Sequence, residues 1–426
     1  MSVLAPATPR LADRTADLSA GPARLLVLPT PTRDVVSFRG SFTTAPDLAT
    51  GGDIVQGLVT DLLDKGTTHR DRFALADALD GRGARVSFYS DGLRVGVSGR
   101  ALRDDLPDVL AIAAEMLLDP LFDEEEVEKA IAQAVASVRQ SREATGAQAG
   151  GALARRLYGL AHPNYVYPAD DEIARIEAVT ADALRAYHAE HIGADDLTIT
   201  LAGDVQPHTA QAVVGDVFAR FAPLGRTAVF DAAADPEAPG RTVVPMADRP
   251  NLDVRLGHAV GLRRDSPDYL ALYTGIFALG GNFSSRLMQT IRDQQGLTYG
   301  ISARLSGVAV EHDADVRVSV GLGAETLERG IAATRAEIAR FVAEGVDAAT
   351  LRATQTTLTG QHVVAMATTG GLSTRLLVNA ERGFDVGYLD RYSDLIRDLT
   401  PEVVTAAVRQ HLQPEGLHET VAGTLL

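Results

Sequence analysis

Alternating apolar and polar positions mark two stretches of the chain as β-hairpins. In the first, Val86 and Phe88 run into the turn Ser90-Asp91-Gly92, and Leu93, Val95 and Val97 run out of it. In the second, Tyr299, Ile301 and Ala303 alternate in the same way, and a return strand carries Val316, Val318 and Val320 on one face. The two open alike: a shift of 213 residues lays Gly83-Ala-Arg-Val-Ser-Phe over Gly296-Leu-Thr-Tyr-Gly-Ile. A helical pair follows each hairpin. Pro107 stands near the start of the apolar-periodic run Val109 to Leu118, where a helix tolerates proline, and Asp123 with Glu126 predicts a capping box for the next helix. In the second copy Leu327, Ile331, Ile338 and Phe341 keep a helical period, and Asp347 begins the helix after it.

A shift of 220 residues aligns the ends of the two copies. Residues 179 to 192 fall over 399 to 412, so that Thr180 meets Thr400 and His191 meets His411, and Leu197, Thr200, Ala202 and Gly203 meet Leu417, Thr420, Ala422 and Gly423. Each half is expected to close with a helix and a strand. Between the halves, residues 222 to 245 hold Pro223, Gly225, a run of Asp, Ala, Pro and Gly, and Arg241, a composition that reads as a linker. The fold class is therefore α+β, with two homologous domains over 1–221 and 246–426, each a mostly antiparallel β-sheet packed with α-helices.

Composition narrows the chemistry. The 426 residues exceed the usual size of one core, and 40 Lys and Arg against 56 Asp and Glu leave a net charge of −16, which disfavours a nucleic-acid-binding surface. The absence of cysteine excludes disulfides, thiolate metal sites and cysteine nucleophiles. Met1 to Arg14 contains no apolar run of signal-peptide length and no window approaches a membrane span, so a cytoplasmic location is expected, with a processed leader and hence a periplasmic or secreted location left open.

The richest stretch is Gly280 to Gly300, a glycine-led turn, a short helix and the start of a strand. Arg292 and Tyr299 within it are two donors able to serve one carbonyl oxygen. Read alone, Arg292 is a solvated cation at a helix end and Tyr299 an ordinary strand residue. The pair Gly280-Gly281 reads as an anion cradle or as a flexible cap with Asn282 or Ser284 as the capping residue, and it fits neither a phosphate loop nor a dinucleotide fingerprint.

With the duplication, the block Gly280-Gly281-Asn282-Phe283-Ser284-Ser285-Arg286-Leu287 and the Arg292/Tyr299 spacing, the chain resembles the pitrilysin and insulinase-like metallopeptidases, the inverzincin family that includes mitochondrial processing peptidase, in its short bacterial branch. The resemblance runs over essentially the whole chain and implies that it forms half of a clam-shell. It also implies that Arg292 and Tyr299 hold substrate near the scissile bond, and that the loop Gly280, Gly281, Asn282 and Phe283 lines a chamber. The family's first half carries His-x-x-Glu-His on a helix before a Lys-Gly-Thr-like turn, with a further glutamate downstream. Here Lys65-Gly66-Thr67 keeps the turn, but the ligand and base positions hold Gly57, Thr60, Asp61 and, to within one or two residues, Val138. Glycine, threonine and valine cannot replace imidazoles and a carboxylate.

No metal is therefore expected in this chain, and zinc is expected in a partner. The resemblance implies the substrate-binding subunit of a heterodimeric zinc metallopeptidase, inactive alone, whose partner is a homologous subunit with the zinc motif and whose substrate is unfolded peptide. The alternatives are a non-catalytic scaffold or peptide-binding homodimer of the same fold, and an independent hydrolase with a relocated metal site. Other motifs carry less. His188-Ala-Glu-His191 is read as surface or packing residues, Glu311-His312-Asp313-Ala-Asp315 as a solvated hairpin loop, and the acidic run from Asp123 as a helix start that suits the dipole. No Gly-x-Ser-x-Gly elbow accompanies the ten histidines.

Overall fold

The computed structural model describes residues 10–425; Met1 to Pro9, most of the stretch read above for a signal peptide, and Leu426 lie outside it. In the first half β1 (Ala16–Ala20), β2 (Ala23–Pro29), β3 (Val35–Thr43), β4 (Arg85–Ser90), β5 (Arg94–Leu102) and β6 (Thr198–Gly203) form a sheet in the order β1-β2-β6-β3-β5-β4. Only β2 and β6 run parallel. Around it lie α1 (Leu11–Arg14), α2 (Gly52–Leu62), α3 (Arg72–Asp80), α4 (Leu106–Leu118), α5 (Glu124–Arg142), α6 (Thr145–Leu157), α7 (Ala169–Glu177), α8 (Ala181–His191) and α9 (Pro207–Val217).

The second half repeats the plan. Its strands β7 (Arg241–Pro245), β8 (Asn251–Val260), β9 (Ile301–Ser306), β10 (Ala314–Gly323) and β11 (His418–Gly423) order as β7-β11-β8-β10-β9, with β7 parallel to β11 and the rest antiparallel. The helices are α10 (Tyr269–Gly280), α11 (Leu327–Glu344), α12 (Ala348–Ala365), α13 (Thr369–Glu381), α14 (Gly387–Arg397) and α15 (Pro401–His411). The α+β expectation holds. β4 and β9, the strands opened by Gly83 and Gly296, are the matching edges of the two sheets.

Strand β2 shows why both faces of each sheet are covered. Leu25 and Val27 enter the first-half core with Phe42, Leu58 and Leu62, whereas Leu26 and Leu28 point to the opposite face. A strand buried on both sides reads as one continuous apolar run. What covers the opposite face is Leu376 of α13 and Leu389 of α14, which come from the second half. The exchange is mutual, since α6 of the first half packs on β8 and β11 of the second sheet while α13 packs on β3 and β6 of the first. Polar contacts pin both helices: the Ser37 and Thr369 hydroxyls lie 2.8 Å apart, Ser41 donates to Glu381 at 2.6 Å, and Thr145 donates to Asp253 at 2.7 Å.

Several expectations need adjusting. The first half does not end on β6, because α9 follows it. Regular structure resumes at Arg241, so the irregular connection covers 222–240 and the last five residues expected as linker are an edge strand. Asp123 caps α5 by accepting the Glu125 N–H at 3.0 Å, but Glu126 turns away from the cap toward Lys129 and Arg72.

Candidate functional site

Helix α10 is apolar almost all round and is buried accordingly, leading the chain through the second core to Gly280 beneath β9. A Cβ on Gly280 would run into the backbone nitrogen of Ala303, so only glycine lets the helix end approach the edge strand this closely. Asn282 then caps the next turn, its Oδ1 accepting the Ser284 N–H at 2.9 Å, and Phe283 is left 78% exposed. The following π-helical turn, Met288–Gln294, buries Met288 and Ile291 and so places Arg292 outward, 3.6 Å from Asp293. Gly296, at φ 62°, reverses the chain.

Thr298 fixes what comes next. Buried itself, it donates to the Gly321 carbonyl at 2.6 Å and accepts the Gly300 N–H at 3.1 Å. Tyr299, between those anchors, is 99% exposed. A groove of about 420 Å³ lies here and brings together Gly280, Gly281, Asn282, Phe283 and Tyr299; Arg292 is not among its walls.

Thr298, Arg255 and Arg304 are site residues that the sequence reading passed over. Arg304 of β9 stands directly opposite Arg317 of β10. Arg317 is neutralised by Asp315 at 3.1 Å and Arg255 by Asp253 at 2.9 Å, whereas Arg304 has no ion pair among the described residues. The hairpin alternation held the signal, because residues 302, 304 and 306 share a face.

At the position of the family's metal motif the side chains do not suit a metal. Gly57 on α2 offers only open space, and the Thr60 hydroxyl is spent on the Gln56 carbonyl at 2.7 Å. The Asp61 carboxyl is raised above its ordinary value by burial, against the lowering influence of Lys65, and shares its groove with Glu126 and Glu172. Asp61 and Val138 do wall one groove of about 680 Å³ between α2, α5 and α7, but Val138 packs against the core while Ser137 beside it is exposed. Among the described residues no three His, Asp or Glu side chains are placed to hold a metal ion.

The other motifs resolve as follows. His188 bonds the Leu117 carbonyl at 2.7 Å, and His191 bonds the Thr44 carbonyl at 2.9 Å while stacking on Tyr187, so both are packing residues. The expected solvated loop at Glu311 to Asp315 is instead largely buried. Asp315, 1% exposed, accepts from the Tyr158 hydroxyl at 3.0 Å and from Arg317, and His312 meets His162 edge-on at 5.2 Å. The exchanged end of α6 covers what would otherwise be a hairpin turn in water.

Residues 178–358 match the family model described as the peptidase M16 inactive domain, and residues 57–160 match that of insulinase, peptidase family M16. The chain is 30% identical over 258 residues, 58% of its own length and 54% of the relative's, to an uncharacterized zinc protease of Streptomyces coelicolor. It thus spans about half the length of that relative. It is 22% identical over 289 residues, 68% of this chain and 66% of the other, to a non-peptidase homolog of Helicobacter pylori. Among solved structures, a peptidase M16 inactive domain from Pseudomonas fluorescens superimposes with a TM-score of 0.87 at 24% identity, covering 97% of this chain and 98% of that one. A protease from Helicobacter pylori does so with 0.83 at 12% identity, covering 96% and 99%. At such identities the likeness is one of fold.

Proposed function

The chain belongs to the M16 peptidase family, and from that premise we propose that it is the zinc-free, substrate-binding subunit of a heterodimeric metallopeptidase. The observation that carries this reading is Tyr299. A phenol wholly in solvent, anchored on both sides by Thr298 and standing over a groove beside an exposed Phe283, has no structural task within its own chain. A buried or packed tyrosine would not call for a partner.

In this reading an unfolded peptide adds as a strand to the free edge of β9 or of its counterpart β4, with main-chain hydrogen bonds supplying affinity. The partner supplies the metal, its ligands and the general base. Tyr299 and Arg292 donate hydrogen bonds to the carbonyl oxygen as it gains negative charge, and Arg304, without an ion pair among the described residues, favours peptides with an acidic side chain nearby. No helix among the described residues is long and apolar enough to cross a membrane, and a cytoplasmic complex is part of the same proposal.

The test is reconstitution. Alone, the chain is expected to bind no stoichiometric zinc and to cleave no peptide; with a zinc-motif homologue it should restore cleavage that Tyr299→Phe and Arg292→Ala reduce. Tight zinc binding with turnover by the isolated chain would sink the proposal. A second reading, a peptide-binding or scaffold homodimer, has one observation in its favour: Arg292 lies outside the groove and faces Asp293. A self-associated chain that binds peptide equally well without Arg292 would establish it.

A further inference from the structure

Away from the groove, a cavity of about 200 Å³ lies among α10, α12, α13 and α14. Three guanidiniums wall it: Arg264 from the loop before α10, Arg375 from α13, and Arg382 just past the end of α13. No carboxylate does. The remaining polar wall is Tyr269, Tyr273, Tyr388 and Tyr392 with three amide or imidazole side chains.

Arg264 is the most committed of the three. It is 6% exposed, its Cζ lies 4.0 Å from the centroid of the Tyr269 ring, and Nη2 donates to the Tyr388 hydroxyl at 3.3 Å. The aromatic rings satisfy the flat faces of the guanidinium but not its edge, and Nε is buried without any hydrogen-bond partner. Arg382 is held below its usual range by burial and by the positive charges of Arg264 and Arg375. Glu381, whose charge offsets part of this, is turned to Ser41 and Arg94 of the first half. Three like charges around one small cavity with no counter-charge in its wall are costly as they stand, and an entering anion would relieve that cost.

We propose that this cavity binds a small phosphate-bearing anion, inorganic phosphate or a short phosphate monoester, held by Arg264, Arg375 and Arg382. Three forked donors converging on one volume suit an ion that offers three or more oxygens and a double charge. A single carboxylate would leave one guanidinium unmatched. The location gives the ligand a structural consequence. Arg375 lies on the helix that covers the first sheet and Arg382 just past its end, while Tyr269 and Tyr273 belong to α10 in the second core, so the anion ties that covering helix to the core of its own half.

The proposal is independent of the reading of Tyr299 and of any metallopeptidase partner. Calorimetric titration of the full chain with inorganic phosphate, at constant ionic strength, is expected to show one saturable site. Arg375→Gln and Arg264→Gln should each weaken it by about tenfold or more. Should Arg264→Gln fail to fold, Arg375, which is only partly buried, carries the test alone. Glycerol phosphate run in parallel tells a monoester site, which binds it more tightly, from a free-phosphate site, which binds it less. Absence of saturable heat with either phosphate, binding left unchanged in Arg375→Gln, or tighter binding of succinate than of phosphate would overturn the proposal.

Discussion

Thr200 and Thr420, 220 residues apart, make the same hydrogen bond in opposite directions across the molecule. The Thr200 hydroxyl of β6 donates to the carbonyl of Ser373 in α13 at 3.0 Å, and the Thr420 hydroxyl of β11 donates to that of Ala149 in α6 at 2.7 Å. Both threonines are fully buried. Each bond joins a sheet to the helix borrowed from the other half, and since each carbonyl keeps its helical partner, Thr200→Val and Thr420→Val are each expected to destabilise the chain by about 1 kcal/mol, the net worth of one buried hydrogen bond. Denaturant titration of the two variants checks this.

Tyr299→Phe separates recognition from folding. A side chain 99% exposed contributes nothing to the core, so the melting temperature of the isolated chain should not move. In a complex reconstituted with a zinc-motif homologue, turnover should fall by about a hundredfold or more, the effect of removing one donor from a developing oxyanion. A loss confined to KM would instead point to ground-state binding.

Gly280→Ala tests the junction that positions the groove. Its new methyl meets the backbone of Ala303, which cannot swing aside as a side chain would. A loss of about 1 to 3 kcal/mol is expected, together with weaker peptide binding, measured by denaturation and by fluorescence polarisation.

The structure also says which changes would rebuild a metal site. Histidines at Gly57 and Asp61 would lie on one face of α2, and a glutamate suits Ser137, which is exposed, better than Val138, which packs inward. Gly57→His with Asp61→His and Ser137→Glu is expected to bind one zinc ion, assayed by metal analysis after dialysis.

Buried imidazoles set the acid limit of the fold. Burial, reinforced by the charge of His312, lowers His162 from 6.5 to about 4, and burial also lowers His258, His312 and His418. The unfolded chain therefore takes up protons that the folded one refuses. Stability should be full above about pH 6.5 and fall as the pH drops toward 4. His162→Asn, which keeps an acceptor for the Asn164 N–H, should flatten that slope in chemical denaturation run across the window.

The sequence carried the duplication, both hairpins and the helices that follow them, because those are local patterns of period two or 3.6 and of capping residues such as Asp123 and Asp347. The residues at the positions compared with the family's metal motif, Gly57, Thr60, Asp61 and Val138, are likewise a matter of residue type. Invisible were the features made by distant segments. Asp315 looks like a turn residue until Tyr158, 157 positions earlier, covers it, and nothing near Arg375 or Arg382 in the chain announces Arg264. Exchange of α6 and α13 leaves no local trace either, since a helix that covers a neighbour's sheet has the same amphipathic pattern as one that covers its own.

That exchange means the connection at 222–240 is not alone in holding the halves together, although Val229 bonds Pro46 and Leu48 of the first half and Ala232 bonds Asp313 of the second. Each half grips the other through a helix laid across its sheet, so a single protease cut in that connection should leave two fragments that co-elute, melt together and separate only in denaturant. The molecule is a clasp, closed twice over, with its strap stitched to both leaves.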